Sequence, residues 1–167
     1  MATEAILLLG SNLGDSRALL SLAVEMLVAE GVELVAKSSV LESEPWGFGE
    51  GAVVGLFCNQ ALRISTNLEA EQLLTVTQRV EQRVGRERDR ELEEKRSTGE
   101  RYASRVIDID IIFYGDEVVE SERLRVPHPL MAEREFVLRP MVEVAAEWRH
   151  PLLGRSSAEL LNELANR

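Results

Sequence analysis

Val106-Ile-Asp-Ile-Asp-Ile-Ile-Phe-Tyr114 is an oily run interrupted twice by aspartate. Read as a β-strand, it turns successive side chains to opposite faces. Ile107, Ile109 and Ile111 then share one face, and Asp108 and Asp110 share the other, about 6.5–7 Å apart. Two carboxylates on one face of an apolar strand are costly to bury unpaired. An edge strand with a solvated acidic face answers that cost. So does a hard cation, since Mg²⁺ takes one or two carboxylates together with substrate phosphates.

Upstream lies Arg86-Glu-Arg-Asp-Arg-Glu-Leu-Glu-Glu-Lys-Arg-Ser-Thr-Gly-Glu-Arg101, in which twelve of sixteen residues are charged, six of each sign. The chain as a whole carries a net charge of −10, so cations are concentrated beside the acidic pair. Guanidinium forks next to carboxylates suit a polyphosphate and its metal. Leu92 is the one clear apolar anchor in this stretch, which predicts a mobile loop over about 86–105. The alternative is a solvated helix extension laced with ion pairs one turn apart.

Working outward, Ala5 to Leu9 is a short buried strand. Gly10-Ser-Asn-Leu-Gly14 lacks the Lys-Ser/Thr of a phosphate-binding Walker loop and reads as a strand-to-helix turn. Asp15 caps a helix through Ala29, with Leu19, Leu22, Ala23, Met26 and Leu27 on its inner stripe and Gly31 as its stop. Val32 to Leu41 reads as a strand, Gly47 to Gly55 as a long loop and Phe57 to Ile64 as another strand. Thr66-Asn-Leu-Glu69 is a capping box for a helix to about Val84, with Leu73, Leu74, Thr77, Val80 and Val84 facing inward. After the Asp-bearing strand, Gly115-Asp116 reads as a hairpin turn flanked by Val118 and Val119, and Ser156 to Asn166 as a last helix. The β-α-β-β-α-β order predicts an α+β ferredoxin-like sandwich, an antiparallel sheet with two helices on one face, extended by a C-terminal hairpin and helices. One domain spans residues 1–167.

The sheet then has unequal faces. Along the Phe57 strand, Leu56, Cys58 and Leu62 alternate with Phe57, Asn59 and Ala61. If the oily set packs on the helices, Phe57 and Asn59 share the opposite face with Asp108 and Asp110. A ring, an amide and two acids on one surface suit a flat heteroaromatic ligand beside a metal-bound phosphate. Composition agrees with one domain and a sizeable core: 167 residues, 45% of them hydrophobic. The lone Cys58 excludes an internal disulfide and reads as a packed thiol. No run approaches the 18–20 residues of a membrane span, and Met1-Ala-Thr-Glu-Ala lacks a secretory signal pattern, so the expectation is a cytoplasmic protein. A pI of about 4.8 argues against nucleic acid as the partner. Two histidines and one cysteine argue against a classical zinc site.

Arg101-Tyr-Ala-Ser-Arg-Val-Ile-Asp-Ile-Asp-Ile-Ile112 resembles the signature of the 6-hydroxymethyl-7,8-dihydropterin pyrophosphokinase family of folate biosynthesis. Gly10-Ser-Asn-Leu13, Pro45-Trp-Gly47 with Phe57-Cys-Asn59, Gln78-Arg-Val-Glu81 with Gly85-Arg86, and Val126-Pro-His128 with Arg134-Glu-Phe136 follow in the family's order, across roughly residues 5 to 141. The resemblance implies the same ferredoxin-like fold and transfer of pyrophosphate from ATP to the pterin hydroxymethyl group. It implies two Mg²⁺ on Asp108 and Asp110, with Arg86 and Arg105 as further catalytic groups. Gln78, Glu81, Arg86, Tyr102, Arg105, Arg123, His128 and Arg134 would meet ATP. Ser43, Pro45, Trp46, Gly47, Phe57, Asn59 and Phe136 would meet the pterin, the two phenylalanines sandwiching its ring. The protein would act as a monomer, apart from membranes.

The chain departs from the family in four places. Tyr102-Ala-Ser104 stands where Trp-Gly-Pro is frequent, Trp46 replaces a smaller aliphatic residue, the arginine-rich segment is longer than in compact members, and Pro129 follows His128 where an aromatic is sometimes found. Two other functions fit the same residues. A metal-dependent nucleotidyl- or phosphotransferase would differ in its products, and a non-catalytic ferredoxin-like module would show no Mg²⁺-dependent turnover.

Overall fold

The computed structural model describes residues 2–12, 15–43, 57–95 and 107–167, those at 86–95 as backbone only. In chain order the elements are β1 (Thr3–Ser11), α1 (Ser16–Ala29), β2 (Glu33–Lys37), β3 (Leu41–Ser43), β4 (Phe57–Thr66), α2 (Ala70–Lys95), β5 (Asp108–Tyr114), β6 (Val119–Glu120), β7 (Arg125–Val126), α3 (Glu135–Ala145) and α4 (Ser157–Ala165). The main sheet runs β2-β4-β1-β5, every pairing antiparallel, with β3 extending beside β4. Each strand that follows a helix lies one strand away from the strand before it. This split crossover is the ferredoxin-like arrangement the element order predicted.

Period-two alternation builds two cores, one on each side of the sheet, and is broken once where the β1–β5 register shifts and leaves Ile112 and Phe113 in the same core. Ala5, Leu7 and Leu9 of β1, Cys58, Leu62 and Ile64 of β4, and Ile109 and Ile111 of β5 pack with Leu19, Ala23 and Leu27 of α1 and Leu73, Val80 and Val84 of α2. Burial raises the Cys58 thiol pKa, as expected of a packed residue. On the other face, Ile6, Leu8, Ala61, Ile112 and Phe113 meet Val137, Leu138 and Met141 of α3 and Leu160 of α4. Arg63 ties this second layer down. It bonds Glu4, Glu147 and the Val144 carbonyl, and lies 5.1 Å over the Trp148 ring, which stacks on Phe113.

Several local expectations shift. The helix-opening cap moves three residues on: Glu69 N–H donates to Gln72 Oε1 (2.9 Å), while Thr66 Oγ1 accepts from Leu68 N–H. The helix also continues past Val84 to Lys95, because Arg, Glu, Leu and Lys are good helix formers and no Gly or Pro intervenes after Gly85. The expected loop thus gives way to helix over 86–95, and its remainder at 96–105 lies outside the described residues. Val32 to Leu41 divides into β2 and the start of β3: at Ser38 the backbone N–H still donates to the Ala61 carbonyl, but Ala61 N–H turns to the Ser38 hydroxyl instead of completing the ladder pair. Gly115, at φ +55°, turns the chain out of β5, but the hairpin that follows is β6 with β7. Ser156 caps α4 by accepting Glu159 N–H.

Candidate active site

The second core covers only part of its face. Across the sheet, Gly10 of β1 pairs with Asn59 on one side and with Asp108 on the other. Leu8, two residues earlier on the same face, pairs with Ala61 and Asp110. Leu8 and Ala61 lie under α3 and α4. Asn59, Gly10 and Asp108 continue beyond that cover, so the sheet itself becomes the floor of a cleft. Ser43 pairs with Phe57 at the β3 side. An open cavity of about 990 Å³ is lined there by Ser43, Asn59, Leu130, Arg134, Phe136 and Arg139. Phe136 is partly exposed, with the Arg134 guanidinium 5.6 Å over its ring.

Strand alternation places Asp108 half-buried and Asp110 exposed on this face, with Ile107, Ile109 and Ile111 buried behind them. Ile109 N–H, on the sheet edge away from β1, donates to Glu81 Oε2 of α2 (2.9 Å). Glu81 therefore holds the residue between the two aspartates. Among the described residues no group of three His, Cys, Asp or Glu gathers to cage a metal. A cation on Asp108 and Asp110 would complete its shell with substrate oxygens and water. This all-oxygen, half-open donor pair fits Mg²⁺.

His128 follows β7 and is tied by its backbone to β5 and by its ring to its own loop. Its N–H donates to the Ile112 carbonyl (3.1 Å), and its Nδ1 accepts Leu130 N–H (3.3 Å). That acceptor role leaves the proton of the neutral ring on Nε2. Burial lowers the imidazole pKa; the Asp110 carboxylate opposes the shift and Arg134 reinforces it. These couplings place His128, Asp110 and Arg134 in one electrostatic neighbourhood. Along α2, Thr75, Gln78 and Glu81 recur at three-residue spacing on one face. Arg123 Nη2 bonds Thr75 Oγ1 (3.1 Å) and Gln78 Oε1 (3.4 Å).

The structure thus gathers the nominated residues around β5. Gln78, Glu81 and Arg123 lie toward α2, Asp108, Asp110, His128 and Arg134 in the middle, and Ser43, Phe57, Asn59 and Phe136 toward β3 and β4. Arg86 belongs to α2 by its backbone. Pro45, Trp46, Gly47, Tyr102 and Arg105 lie outside the described residues. Gly10 belongs to β1 rather than to the turn expected after Leu9. Its place beside Asn59 escaped the sequence reading, although a glycine inside a strand is itself a signal of close approach.

A ferredoxin-like sandwich with a carboxylate pair on one face of its sheet, and His128 and Arg134 in the electrostatic neighbourhood of Asp110, accords with a transferase of phosphoryl groups. The model of the 7,8-dihydro-6-hydroxymethylpterin-pyrophosphokinase (HPPK) family matches residues 6–146, and the chain belongs to that family. A 2-amino-4-hydroxy-6-hydroxymethyldihydropteridine pyrophosphokinase of Porphyromonas gingivalis is 39% identical over 144 residues, 86% of this chain and 90% of that protein. The folic acid synthesis protein fol1 of Pneumocystis carinii is 33% identical over 158 residues, 95% of this chain but 20% of that much longer protein. In the crystal structure of wild-type Plasmodium falciparum HPPK-DHPS, a match with TM-score 0.72 and 14% identity covers all of this chain and 45% of that one. This last likeness is one of fold.

Proposed function

We propose that this chain transfers the pyrophosphoryl group of ATP to the hydroxymethyl group of 6-hydroxymethyl-7,8-dihydropterin, in folate biosynthesis, with two Mg²⁺ on Asp108 and Asp110. Family membership supports the reaction. The observation that carries the site is the row Asn59–Gly10–Asp108 across three strands, which supports reading the Asn59 amide as a pterin-edge group beside the carboxylates. The pterin hydroxyl oxygen bonds to the β-phosphorus of ATP. The bond from that phosphorus to the α-β bridging oxygen breaks, AMP leaves with the oxygen, and the hydroxyl proton is released.

Asp108 and Asp110 hold the metal ions, which when bound screen the triphosphate charge and lower the pKa of the attacking hydroxyl. His128 offers an Nε2 proton to a phosphate oxygen, and Arg134 beside it adds a cationic fork. Arg123, steadied by Thr75 and Gln78, serves the nucleotide from the α2 side. Arg86 and Arg105 balance charge as the bond to AMP lengthens, and Tyr102 stacks on the nucleotide. Glu81 serves the nucleotide site by holding Ile109. Ser43, Pro45, Trp46, Gly47 and Asn59 meet the pterin edge, with Phe57 and Phe136 against its faces. Positioning and electrostatics suffice, so no protein nucleophile takes part.

ATP labelled with ³²P at the γ-position tests this reading in the presence of Mg²⁺ and the hydroxymethyl dihydropterin. Label in a pterin diphosphate with unlabelled AMP is the expected result. ADP and a pterin monophosphate would identify an ordinary kinase and overturn it.

A further inference from the structure

Gly10 sits inside β1, where glycine sacrifices packing and chain entropy. Its φ is not among the positive values of Gly31, Gly115 and Gly154, so conformation does not require it. Space does. A Cβ built at Gly10 would lie 2.9 Å from Asn59 Oδ1, closer than non-bonded carbon and oxygen approach. Asn59 is flanked across the sheet by Leu41 of β3 on one side and Gly10 on the other, and cross-strand neighbours at such positions stand within side-chain contact. Its carboxamide occupies the volume that Gly10 leaves empty. Asn59 is only 6% exposed, so a displaced amide has little solvent to move into. Beyond Gly10 in the same row stands Asp108, and Gly10 itself puts no side chain between the amide and the carboxylate strand.

We infer that Gly10 is a positioning residue for pterin recognition. By lacking a Cβ it fixes the direction of the Asn59 amide and keeps a bare backbone floor, on which a flat ring reaches from Asn59 toward the Asp108 strand. This inference rests on the reading of Asn59 as a pterin-binding group. Gly10 touches neither metal nor phosphate in this account, so its effect is confined to the pterin.

The test is fluorescence titration of 6-hydroxymethylpterin with Mg²⁺ and α,β-methylene-ATP present, using wild type, Gly10→Ala, Asn59→Ala and the double variant. Gly10→Ala should weaken pterin binding at least tenfold, about 1.4 kcal/mol, while affinity for the nucleotide analogue stays unchanged. In the Asn59→Ala background the same change should cost less than twofold, because the amide it displaces is gone. Wild-type pterin affinity in Gly10→Ala, or an equal further loss in the double variant, overturns the inference. Unchanged affinity in Asn59→Ala would instead overturn the underlying assignment of Asn59, and this inference with it. Should Gly10→Ala fail to fold, the double variant decides: folding restored by Asn59→Ala supports the steric coupling, and folding lost in both refutes it.

Discussion

Replacing Glu81 by alanine should loosen the strand that carries both candidate metal ligands. Ile109 lies between Asp108 and Asp110, is 4% exposed, and donates its N–H to Glu81 Oε2 at 2.9 Å. Without that acceptor, a buried donor on the free edge of β5 loses its partner, at a cost of about 1–3 kcal/mol. For a domain of this size each kcal/mol moves Tm by about 2–4 °C, so Glu81→Ala should melt roughly 2–12 °C below wild type. Glu81→Gln keeps an oxygen at the same reach. Charge-assisted hydrogen bonds are about twice as strong as neutral ones, so glutamine should retain about half the effect. The order of Tm by calorimetry is therefore wild type, then Gln, then Ala. Half-activating Mg²⁺ concentration should rise in that same order, since a strand that shifts at Ile109 misplaces the carboxylates on either side. An alanine variant that melts with wild type, or a glutamine variant worse than alanine, would refute the reasoning.

Asp108→Ala or Asp110→Ala should leave the unfolding free energy within about 1 kcal/mol of wild type, because neither side chain belongs to a core, while turnover falls by orders of magnitude; near-normal rates in both at saturating Mg²⁺ would remove the metal assignment. Acidification should destabilise the fold through His150, whose Nδ1 accepts both Leu152 and Leu153 N–H and whose pKa burial lowers. Its contribution is complete above the unfolded value of about 6.5 and is lost as pH falls from there toward the lower folded pKa, since the unfolded chain binds the proton first. His150→Asn, which can keep an acceptor without titrating, should flatten Tm between pH 7 and 5, and an undiminished slope would exclude His150 as the source. His128, lowered for the same first reason, should take up a proton when the triphosphate binds near pH 6, seen as a buffer-dependent binding enthalpy that His128→Gln abolishes. Arg63→Ala should cost on the order of 2 kcal/mol by urea unfolding, with KM for ATP unchanged, because its partners Glu4, Glu147 and Trp148 lie away from the cleft.

Alternation and order were legible in the sequence because they are local. Asp108 and Asp110 among isoleucines specify opposite faces of β5 through the period of two alone, and the same rule put Phe57 and Asn59 opposite Cys58 and Leu62. The helix stripes of α1 and α2 follow from a period of 3.6, and their alternation with strands specifies the split-crossover sandwich. The family signature named the chemistry without any contact being known. Boundaries were less legible where local signals compete. Thr66 and Glu69 match a capping box, yet Glu69 and Gln72 form the cap, and the charged run after Val84 suits helix and loop alike in composition. Tertiary structure alone decided which distant residues meet. Strand register set Gly10 between Asn59 and Asp108, and helix docking brought Glu81 onto Ile109. The packing of α3 and α4 closed one end of a sheet face and, among the described residues, left the other open. Periodicity says which way a side chain points; only pairing between segments tens of residues apart says what it points at, and those pairings depend on the register and packing of the whole chain.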